Sequence, residues 1–584
     1  MLYTQHYSPL SSAVLSTALA ALPVLVLFYL LVVKRASPPI AAAGGAAAAI
    51  LVAIGVYRMP APMAGMAFLY GAMFGLFPIC WTIVCAMFLY NITVITGRFE
   101  QIKNSVAGLS ADHRLQAILI AFAFGAFLEG AAGGGTPVAI CAAMMVGLGF
   151  KPFQAACLCL IANTSPVAYG GFGTPILTLQ GVTGIDGAVL SRMAGNQLPF
   201  LSILIPLWIV RCMCGWKQTF EVLPAIAVAG VSFATCQYFF AHSSAFPLTD
   251  IAGGLLSLVV TALFLRFWKP AHIWRSEAHV HAIVEEHAEE VVAVGAGSHS
   301  GHEPGPPHPT DHPRGSFTHV TVPRMPLGKA LHAWMPFIVL CTLMAGVGTY
   351  KKTIDAYSLG PIRTVYDIPV PGLDKQVVRT PPVVEKEVRE AAVFRLNWLT
   401  MPGTSVLLSI LAVIPMLRVS RSQLREATRR TYRQMFIPVP TIVCMLGLGY
   451  VTRYGGLDAT LGMAFKNTGL LYPFFAAILG WLGVFLTGTD AASNALFGSL
   501  QKITALQLGL SPILICAANS TGGVMGKMID AQSICVATAA TDRVGTEADI
   551  FKFVIWHSLA LAAIAGLLVL LQAFVPPFTS MVVR

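Results

Sequence analysis

The sequence predicts an all-α polytopic membrane protein: about twelve transmembrane helices and two re-entrant hairpins, arranged as two inverted repeats. Two observations carry this. Of 584 residues, 56% are hydrophobic and 11% charged, with a mean hydropathy of +0.72, whereas a soluble domain carries about 25% charge. In addition, two stretches about 360 residues apart look like copies of one another, each interrupting an apolar run with a polar, glycine-rich break.

Apolar runs of about 20 residues can cross a bilayer. Such runs fall at 12–33, 38–57, 66–95, 152–181, 192–214, 219–240, 249–268, 331–349, 398–417, 435–452, 512–541 and 551–574. Lys34 and Arg35 follow the first run, which has no clear cleavage site, so it reads as a retained helix and not a signal peptide. The runs 116–147 and 471–506 carry glycine-rich breaks in their middle and read as re-entrant hairpins. The chain then divides into a first membrane half, 1–269, with hairpin 116–147 and broken helix 152–181. A second half, 327–584, holds outer loop 350–394, hairpin 471–506 and broken helix 512–541. Between them, 270–326 has nine histidines from His272 to His319, many prolines and no apolar period. It reads as a flexible cytoplasmic linker.

The net charge of +11 is distributed as a membrane protein requires. Basic residues cluster at Lys34–Arg35, Arg98–Arg114, Arg211–Lys217, Arg266–Arg275 and Arg418–Arg433. With the N-terminus outside and the hairpins not crossing, all five fall on one side, the positive-inside pattern. The stretch 418–434 therefore reads as lying on the bilayer surface, and nucleic acid is not an expected partner. The same topology starts the first repeat from the cytoplasmic face, at 97–115, and the second from the outer face, at 453–470, so the repeats are inverted. Twelve cysteines scatter through the apolar runs as small hydrophobes, and no metal-ligand spacing, Walker A motif, dinucleotide fingerprint or nucleophile elbow appears. No metal, cofactor or enzymatic activity is expected. A His-rich tract can bind metal, which keeps a metal-dependent sensor or enzyme as the alternative from another class.

The breaks carry the functional reading. Gly125, Phe127, Leu128 and Gly130 match Gly483, Phe485, Leu486 and Gly488, and Asn163 matches Asn519. A broken helix leaves backbone groups without partners in lipid, so it survives only against protein or a wet cavity. Paired breaks in corresponding halves point to the substrate site of a secondary transporter.

The segments FGAFLEGAAGGGTPVAI (124–140), LGFKP (148–152), NTSPVAYGGFGTPI (163–176), PGLDKQVVRTPPVV (371–384), GVFLTGTDAASNALFGSLQ (483–501) and NSTGGVMGKMIDAQSI (519–534) resemble the L-lactate permease family. The likeness runs along most of the chain, with the His-rich segment as an insertion. It implies proton-coupled uptake of L-lactate and related 2-hydroxymonocarboxylates such as glycolate across a bacterial inner membrane. It also implies a place among ion transporters with inverted repeats and elevator-type movement, and by analogy a homodimer. Two positions depart from the family's pattern: Gly134 replaces an aromatic residue, and Asp530-Ala531 replaces Ser-Pro.

A hydroxy acid needs a cation or helix N-terminus for its carboxylate, hydrogen-bond partners for its hydroxyl, and a small apolar wall. Asn163, Thr164 and Ser165 in the first half, with Thr489, Ser493, Asn494, Asn519, Ser520 and Thr521 in the second, supply amides and hydroxyls at such breaks. Gly130, Gly133, Gly134 and Gly135 allow close backbone approach, although small residues also serve tight helix packing in membranes. Glu129 and Asp490 lie almost opposite each other in the repeat alignment and are the expected carriers of the coupling proton, because burial disfavours a charged carboxyl. Each could instead cap a half-helix. Lys527 either counters the substrate carboxylate or pairs with Asp490. One lactate moving with one proton is electroneutral, so the pH gradient drives it at about 1.4 kcal/mol per unit. A sodium-coupled carrier of di- or monocarboxylates is the alternative within transport, with Na⁺ held by unwound carbonyls.

Overall fold

The computed structural model describes residues 2–584 except 11, 35, 134–135, 276–325, 360–361, 385 and 544. Nearly all of the expected linker, and two of the expected site glycines, Gly134 and Gly135, therefore lie outside the described residues. The described chain is dominated by helices, as uninterrupted apolar runs demand where water cannot satisfy the backbone. Eight of them are long and apolar enough to cross a membrane, or up to eleven if each bent pair counts as one span. Of the twelve expected runs, 12–33, 398–417 and 512–541 are not among these, whereas the advancing arms of both hairpins are. Run 12–33 becomes helix Ala13–Phe28 followed by a π-helical turn, Tyr29–Val33, and run 398–417 becomes helix Pro402–Met416.

The described residues are mostly helical, with a small amount of strand. Short strands form in the 350–394 region: Tyr366–Pro369 pairs antiparallel with Val393–Leu396, and Val377–Arg379 pairs antiparallel with Val388–Glu390. Tyr3–Thr4 joins Val377–Arg379 in parallel. This small cap therefore holds the N-terminus and the 350–394 segment on one face of the molecule. Proline-bounded stretches with β-branched residues, such as YDIPVP at 366–371, disfavour helix and set this local choice.

Two hairpins and two broken helices surround the interior. Hairpin I advances through the π-helical turn Ile118–Phe124 and helix Gly125–Ala131, then returns through helix Thr136–Gly147. The thiol of Cys141 on the return arm reaches the Ile120 carbonyl at 3.2 Å, fixing the register. Hairpin II is built from Tyr472–Thr487 and Asp490–Gln507, which turn at Gly488 (φ +79°). Ser493 donates to the Gly480 carbonyl (3.0 Å) and Gln501 to that of Ala476 (2.9 Å), so its arms run antiparallel. Broken helix I comprises Pro152–Ala162 and a second part, 167–183, bent from it by 63°. Broken helix II comprises Pro512–Gly526, a 3₁₀ turn Lys527–Ile529 and Ala531–Ala540.

The halves interlock by exchange. The second part of broken helix I packs on the return arm of hairpin II, and Ala531–Ala540 of broken helix II packs on the return arm of hairpin I. Within the second half, Gly480, Gly522 and Gly526 lie so close to the backbone of the facing helix that an added Cβ would collide with it. That approach of Tyr472–Thr487 to Pro512–Gly526 is the small-residue packing by which helices associate in lipid.

Candidate functional site

The break in broken helix I starts where the notch in its sequence predicts. Helix Pro152–Ala162 ends at Asn163, Thr164 turns its hydroxyl back onto the Ile161 carbonyl (2.8 Å), and a 3₁₀ turn, Val167–Tyr169, follows. Gly171, Phe172 and Gly173 then take consecutive left-handed backbones, with φ of +52°, +61° and +69°. For phenylalanine that conformation costs on the order of 1 kcal/mol or more and persists only where the surroundings impose it. Broken helix II differs. Pro512–Gly526 runs unbroken through Asn519, Ser520 and Thr521, and the helix yields only at Lys527. The expected break at 519–521 is thus displaced by about two turns, because those three side chains find partners while leaving the backbone ladder intact.

The first polar cluster forms around Glu129, which is 4% exposed. Its polar neighbours are Lys527, Asn163 and Asp530. The Glu129 Oε1 lies 2.7 Å from where a Cβ on Gly170 would stand, so a side chain there would displace the carboxyl. Gly133, with φ of +60°, sits 3.7 Å from the same oxygen by the same measure. Glu129 Oε2, both side-chain polar atoms of Asn163 and the Ser165 hydroxyl are buried without a partner at hydrogen-bonding geometry. Buried polar groups are ordinarily satisfied, so these four open atoms on three residues mark a candidate place for a polar ligand. Gly130 faces elsewhere: its Cβ would meet Ile251 N at 2.7 Å, so it serves the approach of helix Thr249–Phe267.

A second cluster lies around Asp490 at the start of the return arm of hairpin II. Thr489 caps that helix by accepting from the Ala492 amide at 3.1 Å. One Asp490 oxygen, Oδ2, accepts from Ser520 (2.5 Å) and Asn494 (3.5 Å), while Oδ1 is unpartnered. Asn519 donates to Asn494 Oδ1 at 2.9 Å and accepts from Gln501 at 3.1 Å. Asn494 also donates to the Pro175 carbonyl of broken helix I at 3.1 Å, tying the halves together. Ser493 lies 3.5 Å from Asn519 Nδ2. Thr521 is not part of this cluster; it donates to Gln197 at 2.8 Å.

Lys527, which lies near Glu129, makes its bonds within the second half. Its Nζ donates to the Gly488 carbonyl at the tip of hairpin II (2.7 Å) and pairs with Asp530 at 3.1 Å, not with Asp490. The structure therefore groups Glu129, Gly133, Asn163 and Lys527 in one place and Asp490, Ser493, Asn494, Asn519 and Ser520 in another. Asp530, Gln501, Gln197 and the left-handed Gly171–Gly173 stretch escape a reading confined to the breaks. The signal for Asp530 was its charge inside an apolar run, and for the stretch, the dense glycines of GGFG.

The family model described as L-lactate permease matches residues 16–576. The chain is 42% identical to the glycolate permease GlcA of Escherichia coli (strain K12), over 100% of this chain and 99% of that protein. It is 40% identical to the L-lactate permease of the same strain, covering 98% of each. It is likewise 40% identical to the L-lactate permease of Bacillus subtilis (strain 168), again over 98% of each. Among solved structures, the YdaH transporter of Alcanivorax borkumensis aligns over 87% of this chain and 86% of its own at 12% identity, with a TM-score of 0.39. That last likeness carries no argument.

Proposed function

Because this chain belongs to the L-lactate permease family, whose members are transporters and not enzymes, we propose that it takes up L-lactate and glycolate by proton symport across a bacterial inner membrane. Transport of lactate and glycolate follows from relatives covering nearly the whole chain at about 40% identity. The coupling ion, the elevator-type movement, a homodimer and the cytoplasmic placement of the basic loops belong to the proposal. The observation that supports it most is the set of buried, unpartnered polar atoms around Glu129 and Asn163, beside a cationic Lys527.

In this reading the substrate lies between the two clusters. Asn163 and Ser165 offer a donor and acceptors to the hydroxyl and carboxylate, and Lys527 supplies positive charge through its shared site with Asp530. Glu129 and Asp490 hold the proton that makes the loaded carrier electroneutral. Thr489, Ser493, Asn494, Asn519 and Ser520 hold Asp490 and the tip of hairpin II in place, so that substrate binding reaches both halves at once.

Purified protein in proteoliposomes tests this directly. Radiolabelled L-lactate should accumulate when an inward pH gradient is imposed, glycolate should compete, and succinate should not. Accumulation that needs sodium and ignores the pH gradient would overturn proton coupling in favour of a sodium-driven carrier.

A further inference from the structure

Helix Thr249–Phe267 lies outside both hairpins and both broken helices, yet its first turn packs a carboxylate against Gly125–Ala131, the helix that carries Glu129. Asp250, in its first turn, is 0% exposed, and neither of its oxygens has a hydrogen-bond partner. Its Cβ is 2.9 Å from where a Cβ on Gly130 would stand, so Asp250 is packed against the residue next to Glu129. The absence of a side chain at Gly130 is what admits it.

The charges around this pair do not balance. Lys527 is the cation nearest Glu129, and it is already engaged by Asp530 at 3.1 Å and the Gly488 carbonyl at 2.7 Å. On the Asp250 side, the segments packed against its helix are Leu223–Ala241, Phe246–Leu248, the second part of broken helix I and the turns of hairpin I. Apart from Glu129, none of these contains Asp, Glu, Lys, Arg or His. The other titratable neighbour is the Tyr169 phenol, which donates to the Ser191 carbonyl at 2.8 Å. Cys236 and Tyr238 are the titratable side chains of Leu223–Ala241. Arg266, on Asp250's own helix, is sixteen residues away, about 24 Å along the axis. Two carboxylates buried together without a cation are expensive, and each proton the pair binds removes one buried charge.

We propose that Asp250 and Glu129 form a joint proton site, so that Asp250, a residue of neither repeat motif, is required for coupling uptake to the pH gradient. The inference rests on the proton-symport reading above. On the loading side the pair takes up one proton with the substrate, and it releases that proton on the other side with the substrate's departure.

The test uses the full-length protein in proteoliposomes. Two quantities are measured for wild type, Asp250→Asn, Asp250→Glu and Glu129→Gln: accumulation of labelled L-lactate driven by an imposed pH gradient, and exchange of internal for external lactate without a gradient. Exchange needs no net proton movement and serves as the reference. The ratio of accumulation to exchange should fall at least tenfold in Asp250→Asn, as in Glu129→Gln. In Asp250→Glu accumulation should persist with its pH dependence displaced. A ratio in Asp250→Asn equal to that of wild type overturns the inference. Should Asp250→Asn fail to assemble, Asp250→Glu decides alone, and an unshifted pH profile overturns it. Wild-type protein that exchanges lactate but ignores the pH gradient overturns the symport reading itself, an outcome distinct from an effect confined to the Asp250 variants.

Discussion

Lys527 and Asp530 form an ion pair of 3.1 Å in which the lysine is 3% and the aspartate 0% exposed. Three residues apart, they straddle the point where broken helix II yields, and Asp530 also caps the following helix by accepting from Ser533 N at 2.8 Å. Breaking such a pair from one side costs about 3–5 kcal/mol, while neutralising both partners costs far less. Lys527→Met should therefore abolish measurable uptake, and Lys527→Met with Asp530→Asn should regain part of it if the pair is chiefly structural. If Lys527 binds the substrate carboxylate, the double variant stays inactive although it is folded. Uptake rate and detergent-solubilised thermal stability, measured together, separate these outcomes.

Asn494 makes a bond that crosses between the halves, to the Pro175 carbonyl, and also accepts from Asn519. Asn494→Ala takes its partner from the Pro175 carbonyl and removes the shorter of the two bonds made by the Asn519 amide, a loss of about 1–3 kcal/mol. We expect KM for lactate to rise about tenfold, corresponding to 1.4 kcal/mol, measured as initial uptake against concentration. An unchanged KM with lowered thermal stability would confine Asn494 to holding the halves together.

Gly522→Ala should destabilise the protein by about 1–3 kcal/mol, the ordinary cost of overpacking, because its Cβ would strike the Ala477 backbone. Gly65→Ala is the control. It lies within helix Ala61–Phe74 with open space where a Cβ would stand, so it should be neutral or stabilising by about 0.5 kcal/mol. Thermal unfolding in detergent, followed by intrinsic fluorescence, reads both.

The cap answers to acid. Glu390 bonds Arg453 at 2.6 Å and Arg379 at 3.1 Å, and Arg453 in turn binds the Gly181 and Val182 carbonyls that end broken helix I. Burial alone would raise the Glu390 carboxyl, but the two guanidiniums outweigh it and hold it below the usual carboxylate range. A depressed carboxyl contributes stability above its unfolded value, about 4.3, and loses it as pH falls through the lower folded value. Wild type should therefore lose stability below about pH 4.3. Glu390→Gln should start about 3 kcal/mol lower at neutral pH and show a flatter acid limb. Equal acid limbs for the two proteins would remove Glu390 from the account.

The sequence by itself determined that the chain is a multi-pass membrane protein, that its two halves carry matched breaks, and which family it resembles. These properties are linear: apolar length is set by bilayer thickness, glycine clusters mark backbone that departs from the helix, and motifs are read in order. Helix Pro152–Ala162 ends at the residue its motif marks, and hairpin II turns at the glycine matched in the repeat alignment. Only the tertiary structure decided how charge is compensated. Nothing in the order of residues says that Lys527 spends itself on Asp530 rather than Asp490, that Pro512–Gly526 runs straight through Asn519–Thr521, or that Asp250 arrives beside Glu129 from 120 residues away. A buried charge takes whichever partner packing brings within reach. Which partner that is depends on close helix approaches set by single glycines, a property of surfaces in contact that no one segment contains.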